Sequence, residues 1–145
     1  MNRLHINLQV EDLDEARRLY GALLGHKPTF ERTDYAKWDI DNPPLSLSVT
    51  ARGNSPALDH LGIKYESQEA FEAAAARMEA IGEPLREQKD ATCCYAQSDK
   101  GWWKDRLGLS WELFFTHRQV DEFGGNRDVA SGSSEAGENR RLACC

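Results

Sequence analysis

His5, His60 and Glu112 recur at nearly equal intervals along the chain, and each sits in a short apolar run that reads as a strand. Two imidazoles and one carboxylate are the donor set of a facial triad. Such a triad holds Fe(II) and leaves positions open for dioxygen and a substrate, unlike the closed shell of a structural metal site. The adjacent thiols Cys93 and Cys94 point to a second kind of chemistry. Soft thiolates prefer soft cations, so trivalent arsenic or cadmium suits them, provided the backbone departs from a flat strand and lets both sulfurs converge. Asp90 and Thr92 nearby fit an irregular loop.

Each of these residues also has an ordinary reading. Glu112 lies in the apolar run Ser110-Trp111-Glu112-Leu113-Phe114-Phe115, where an inward carboxylate is costly unless paired or metal-bound. Taken alone, strand alternation turns it to solvent. A single histidine near a strand start, as His5 and His60 both are, is more often a hydrogen-bonded structural residue than a ligand. Cys93 and Cys94 read as small buried hydrophobes, except that successive strand side chains face opposite ways and only one would be core. His26 and His117 read as solvated, and Trp102, Trp103 and Trp111 as core.

The elements that must position these groups change the balance, because the chain contains one pattern twice. HINLQV from His5 is a strand. Asp12 or Asp14 caps a helix with a stripe of Leu13, Ala16, Leu19, Tyr20, Leu23 and Leu24, ended by Gly25. Strands follow over 29–32, 35–40 and 45–50, with Asn42-Pro43-Pro44 as the last turn. From His60 the order restarts. HLGIKYE is a strand, Ser67 caps a helix with Phe71, Ala74, Ala75, Met78 and Ile81 buried, and Gly82 ends it. A strand over 85–88, a segment 92–97, a strand 101–104, a turn 105–108 and a last strand 110–116 complete it.

His5 and His60 therefore open equivalent strands, and Glu112 sits in the closing strand of the second copy. The position matching Glu112 in the first copy falls at Ser46 or Leu47, so three protein ligands are expected. The predicted fold is α+β, two tandem βαβββ modules forming an incomplete barrel around the metal site. The domain spans 1–116, with modules of about 1–53 and 57–116. Residues 117–145 read as a polar flexible tail, touching the domain through Val120 and Phe123 and ending in Cys144-Cys145.

With 145 residues, 40% of them apolar, the chain suits one domain. A net charge of -6 and a pI near 5.2 argue against nucleic acid or an anionic membrane and for a small molecule. No signal peptide or membrane-spanning stretch is apparent, so the cytoplasm is expected. Cysteines adjacent in sequence are poorly placed to bridge each other, so a disulfide framework is not expected.

His5 through Glu112, as two strand-helix-three-strand modules, resembles the vicinal oxygen chelate superfamily of glyoxalases, extradiol dioxygenases and fosfomycin-resistance proteins. Ala91-Thr92-Cys93-Cys94-Tyr95-Ala96, then Asp99-Lys100 and Ser110-Trp111-Glu112, resembles the organoarsenical carbon-arsenic lyases and their cadmium-induced relatives. The resemblance implies Fe(II) on His5, His60 and Glu112, and a trivalent organoarsenical on Cys93 and Cys94. The implied reaction is O2-dependent cleavage of the carbon-arsenic bond to arsenite for arsenic detoxification, with no catalytic residue beyond the metal ligands. One alternative is a non-enzymatic cadmium- or arsenite-binding resistance protein. Ranked after it is a metal-dependent glyoxalase or thiol transferase, for which the sequence offers no evident fourth ligand or cation for an anionic substrate. A homodimer with modules exchanged between chains stays open beside a closed monomer.

Overall fold

The computed structural model describes residues 1–121. Cys144, Cys145, Phe123 and most of the expected tail lie outside them. The first module runs β1 (Arg3–Gln9), α1 (Leu13–Leu24), β2 (Phe30–Arg32), β3 (Tyr35–Asp41) and β4 (Pro44–Thr50). The second runs β5 (Ala57–Tyr65), α2 (Gln68–Ala80), β6 (Arg86–Cys93), β7 (Ala96–Lys104) and β8 (Ser110–Gln119). Helix starts follow from their caps: Asp12 accepts the Glu15 N–H at 2.9 Å, and Ser67 accepts the Ala70 N–H at 3.1 Å. The same number of residues separates Asp12 from Ser67 as separates His5 from His60, which fixes the alignment of the two copies.

Among the described residues eight strands form one sheet in the order β2-β3-β4-β1-β5-β8-β7-β6, an incomplete barrel. Within each half the first strand pairs parallel with the last, β1 with β4 and β5 with β8, and the halves meet where β1 runs antiparallel to β5. The two faces of this sheet differ in chemistry. Ala36, Trp38, Ile40, Leu47 and Val49 pack under Leu13 and Ala16 of α1, while Tyr65 and Leu113 pack under Phe71 and Ala74 of α2. The inner face buries His5, Asn7, Ser46, Ser48, Thr50, His60, Lys100 and Glu112. Fully burying a large apolar side chain contributes about 1.5–3 kcal/mol, whereas a buried polar group costs free energy unless it is partnered. The helix-covered clusters therefore hold the fold, and the inner face is retained for something other than stability.

Several details depart from the sequence expectations. Leu19, Leu23 and Ile81 are 50%, 76% and 72% exposed. A helix lying on one sheet buries a single stripe, here Leu13, Ala16, Tyr20 and Leu24, and Leu19 and Leu23 lie round the side of it. Strand β8 continues past 116, because Arg118 and Gln119 pair with Gln97 and Ala96, and the Val120 N–H donates to the Tyr95 carbonyl at 2.8 Å. Among the described residues no helix is long and apolar enough to cross a membrane.

Candidate metal and thiol site

The seam between the halves brings the three expected ligands together. β1 carries His5, β5 carries His60, and β8 places Glu112 beside Gly62. His5, His60 and Glu112 are 2%, 1% and 1% exposed. The two Nε2 atoms are 3.2 Å apart, and Glu112 Oε2 lies 3.2 Å from His60 Nε2 and 3.5 Å from His5 Nε2. Metal bonds of about 2.1 Å meeting at right angles would put donor atoms about 3.0 Å apart, close to what is seen.

The outer contacts decide which ring nitrogens can bind. His5 Nδ1 lies 2.9 Å from the Ser46 carbonyl oxygen, which can only accept, so Nδ1 carries the proton. His60 Nδ1 likewise donates to Asp59 Oδ2 at 2.7 Å. Neutral rings fixed this way point both Nε2 lone pairs at each other and at a carboxylate oxygen. Only a cation or a shared proton makes that arrangement favourable, and such oriented imidazoles are the usual setting of a metal ligand. The donor set and its supports fit a divalent cation.

The local electrostatics run the same way. Burial would push the Glu112 carboxyl up, but Lys100 and the two histidines hold it well below the usual carboxylate range. Lys100 Nζ donates to Glu112 Oε1 at 2.6 Å, leaving Oε2 for the triad. Burial lowers His5 to about 3 against the pull of Glu112. For His60 burial also opposes the charged form, yet hydrogen bonds to Asp59 and Glu112 outweigh it and raise the value.

Sequence reasoning missed how Glu112 reaches this place. A Cβ on Gly62 would stand 2.1 Å from the Glu112 carbonyl oxygen, so only glycine allows β5 and β8 to approach here. With His5 and His60 equivalent, Gly62 corresponds to Asn7, whose partner is Ser48. The counterpart of Glu112 is thus Ser48 rather than Ser46 or Leu47. Ser48 accepts from Asn7 Nδ2 at 2.7 Å, and the first copy offers no carboxylate there.

The cysteines occupy a tight hairpin between β6 and β7. Cys94 (φ 51) and Tyr95 (φ 62) are both left-handed, as the central residues of a two-residue turn with the hairpin's twist must be. This backbone breaks strand alternation and buries both thiol positions, Cys93 at 4% and Cys94 at 6% exposure, against Tyr35 of the first module. Non-glycine residues pay for this conformation, and a clasp offsets the cost. Tyr95 Oη donates to Asp34 Oδ1 at 2.7 Å, and Arg52 holds Asp34 Oδ2 at 2.7 Å. The two sulfurs are 4.0 Å apart and not bonded to each other. Neither Cys93 nor Cys94 is a free thiol in this structure.

One small hollow, open to solvent, is lined by His5 and Glu112 together with Cys93 and Cys94. Lys37 and Lys100 line it too, so the expectation of no cations for an anionic substrate is overturned. Both lysines are inner-face residues, and a polar residue on one face of a strand reads as solvated until the curl of the sheet is known. Trp102 is not core: its ring meets that of His60 edge-on at 5.1 Å. His117 is not merely solvated, since Asp99 takes its Nε2 at 3.1 Å while accepting the Asp90 N–H at 2.9 Å. That trio lies on the face of β7 opposite Lys100.

No protein-family model matches the chain. It is 32% identical over 151 aligned positions, covering the whole of both chains, to the trivalent organoarsenical cleaving enzyme of Thermomonospora curvata. It is 31% identical to the cadmium-induced protein of Mycobacterium tuberculosis, over 94% of this chain and 91% of that one. Among solved structures, an extradiol ring-cleaving dioxygenase from B. fuscum superposes with a TM-score of 0.59 at 24% identity, over 82% of this chain. The chain spans only 34% of that dioxygenase, and the likeness shows the fold alone.

Proposed function

The chain belongs to the family of trivalent organoarsenical cleaving enzymes and cadmium-induced proteins, within the vicinal oxygen chelate superfamily, and on that premise we propose that it cleaves the carbon-arsenic bond of trivalent organoarsenicals in the cytoplasm. The observation that carries the reading is that His5 and Glu112, two members of the clustered triad, line one hollow with the cysteine pair. His5, His60 and Glu112 would hold Fe(II), which when bound supplies the site for dioxygen and the redox capacity for an oxidative cleavage to arsenite.

The chain's own groups do the positioning. Cys93 and Cys94, as thiols, replace two oxygen ligands of a methyl- or arylarsenite and turn the attack on its carbon into an effectively unimolecular event. Tyr35 and Phe114 narrow the hollow around the organic group and keep water out. Lys100 holds Glu112 in register through Oε1. Oxidised sulfurs cannot bind arsenic, so the activity depends on prior reduction of the cysteines.

The test is a two-stage incubation. Phosphine-reduced protein with Fe(II) and methylarsenite under argon should release no arsenite, and admission of air should start release. Arsenite formed at full rate under argon refutes the mechanism. The cadmium-induced relative supports a second reading, sequestration of a soft cation by the thiols without turnover. In that case tight cadmium or arsenite binding would survive His5→Ala and His60→Ala, and no product would appear in air.

A further inference from the structure

We propose that Lys37 determines substrate choice, as an ammonium in the wall of the arsenic pocket that selects trivalent arylarsenicals carrying an anionic oxygen group on the ring. The inference rests on the organoarsenical reading of the site and names its substrate class. Lys37 pairs with Ser48 in the β3–β4 register, so its side chain enters the inner face, where it is 12% exposed and lines the hollow. Its Nζ stands 5.9 Å from the centre of the Phe114 ring; Lys100 Nζ stands 5.8 Å from that centre, and the His5 ring 4.9 Å. One aromatic ring therefore links Lys37 to the triad.

The two lysines differ in how well their charge is met. Lys100 has Glu112 at 2.6 Å. Among the described residues the ion-pair partner of Lys37 is Asp39 Oδ2 at 3.6 Å, with a weaker pull from Glu112, and that Asp39 oxygen is held more closely by Lys64 at 2.6 Å. Arsenic bound to two thiolates and one organic group is neutral, so a captured arsenical adds nothing to balance Lys37. A divalent cation on the triad adds positive charge and draws on Glu112. A buried cation with so loose a partner is costly, and a carboxylate or phenolate on the organic group would complete it. A methyl group offers no such partner.

The test titrates the phosphine-reduced, Fe(II)-loaded full chain under argon, so that no turnover intervenes, with 4-carboxyphenylarsenite and with phenylarsenite. Wild type should bind the carboxylate form more tightly by about tenfold to a hundredfold, the range of a charge-assisted hydrogen bond. Lys37→Met should collapse that ratio towards one, and Lys37→Arg should restore most of it. Equal affinities in wild type overturn the proposal whether or not any variant folds, and so does an unchanged ratio in Lys37→Met. Air is then admitted. Discrimination in binding without arsenite release would sink the lyase reading alone, whereas release from both compounds without discrimination would sink only the role of Lys37.

Discussion

Replacing Gly62 by alanine probes the metal centre without touching a ligand. The added Cβ would lie 2.1 Å from the Glu112 carbonyl oxygen and 3.0 Å from its carbonyl carbon. Ordinary contact requires about 3.2 Å or more, so β5 and β8 must part by about 1 Å at the residue that bears the carboxylate. Overpacking of this kind costs about 1–3 kcal/mol, and in a domain of this size each kcal/mol lowers Tm by about 2–4 °C. Displacing one donor by that distance should weaken divalent-metal binding about tenfold to a hundredfold, as loss of an orienting contact does. Gly62 does not line the hollow and is no part of the cysteine hairpin's clasp, so phenylarsenite capture should stay within about threefold of wild type. Calorimetric titration with Fe(II) under argon, a melting curve and an arsenical titration would separate the three effects. Wild-type metal affinity in a folded Gly62→Ala protein would refute the assignment of Glu112 as a ligand held by this close approach.

Metal binding should depend on pH through one proton. His60 is raised and must lose its proton to bind, while His5 is already neutral down to about 3, so affinity should fall about tenfold per pH unit below the His60 value. The metal-free fold, in contrast, keeps His60's stabilising contribution at low pH and loses it as pH rises through that value; a slope of two protons in the metal titration would contradict this assignment. Asp59→Asn should free the His60 ring and cost about tenfold to a hundredfold in metal affinity with little change in arsenical binding, measured by paired titrations. Asp34→Asn should weaken the clasp on Tyr95 and raise the Kd for phenylarsenite about threefold to thirtyfold, leaving Fe(II) affinity intact; equal losses in both would mean a folding defect.

What sequence discloses here is tied to local chemistry. Asp12, Ser67 and the two helix-ending glycines are visible because caps act within a turn, and the doubled pattern is visible because it repeats those signals. His5, His60 and Glu112 stand out as polar residues in apolar runs. The inner face is harder to read, since the alternation of Lys37 and Asp39 with Ala36, Trp38 and Ile40 is what a strand with one solvated face shows, and burial of the polar side depends on the curl of the whole sheet. The hairpin at Cys94 and Tyr95 is hidden for another reason. Its left-handed residues are of types that rarely adopt that conformation, and they are held by Asp34 from the other half of the chain. Gly62 passes unnoticed because a glycine within a strand signals close approach only once the neighbouring strand is known.

The scaffold is nearly symmetric across the β1–β5 seam, but its acid is not. Glu112 stands on one side and Ser48, already occupied by Asn7, on the other. A cation held there would take its carboxylate from the β8 flank, while β4 offers a buried hydroxyl already engaged by Asn7. The negative charge that would offset such an ion is therefore lopsided, and its side is set by which half of the duplication carries the acid.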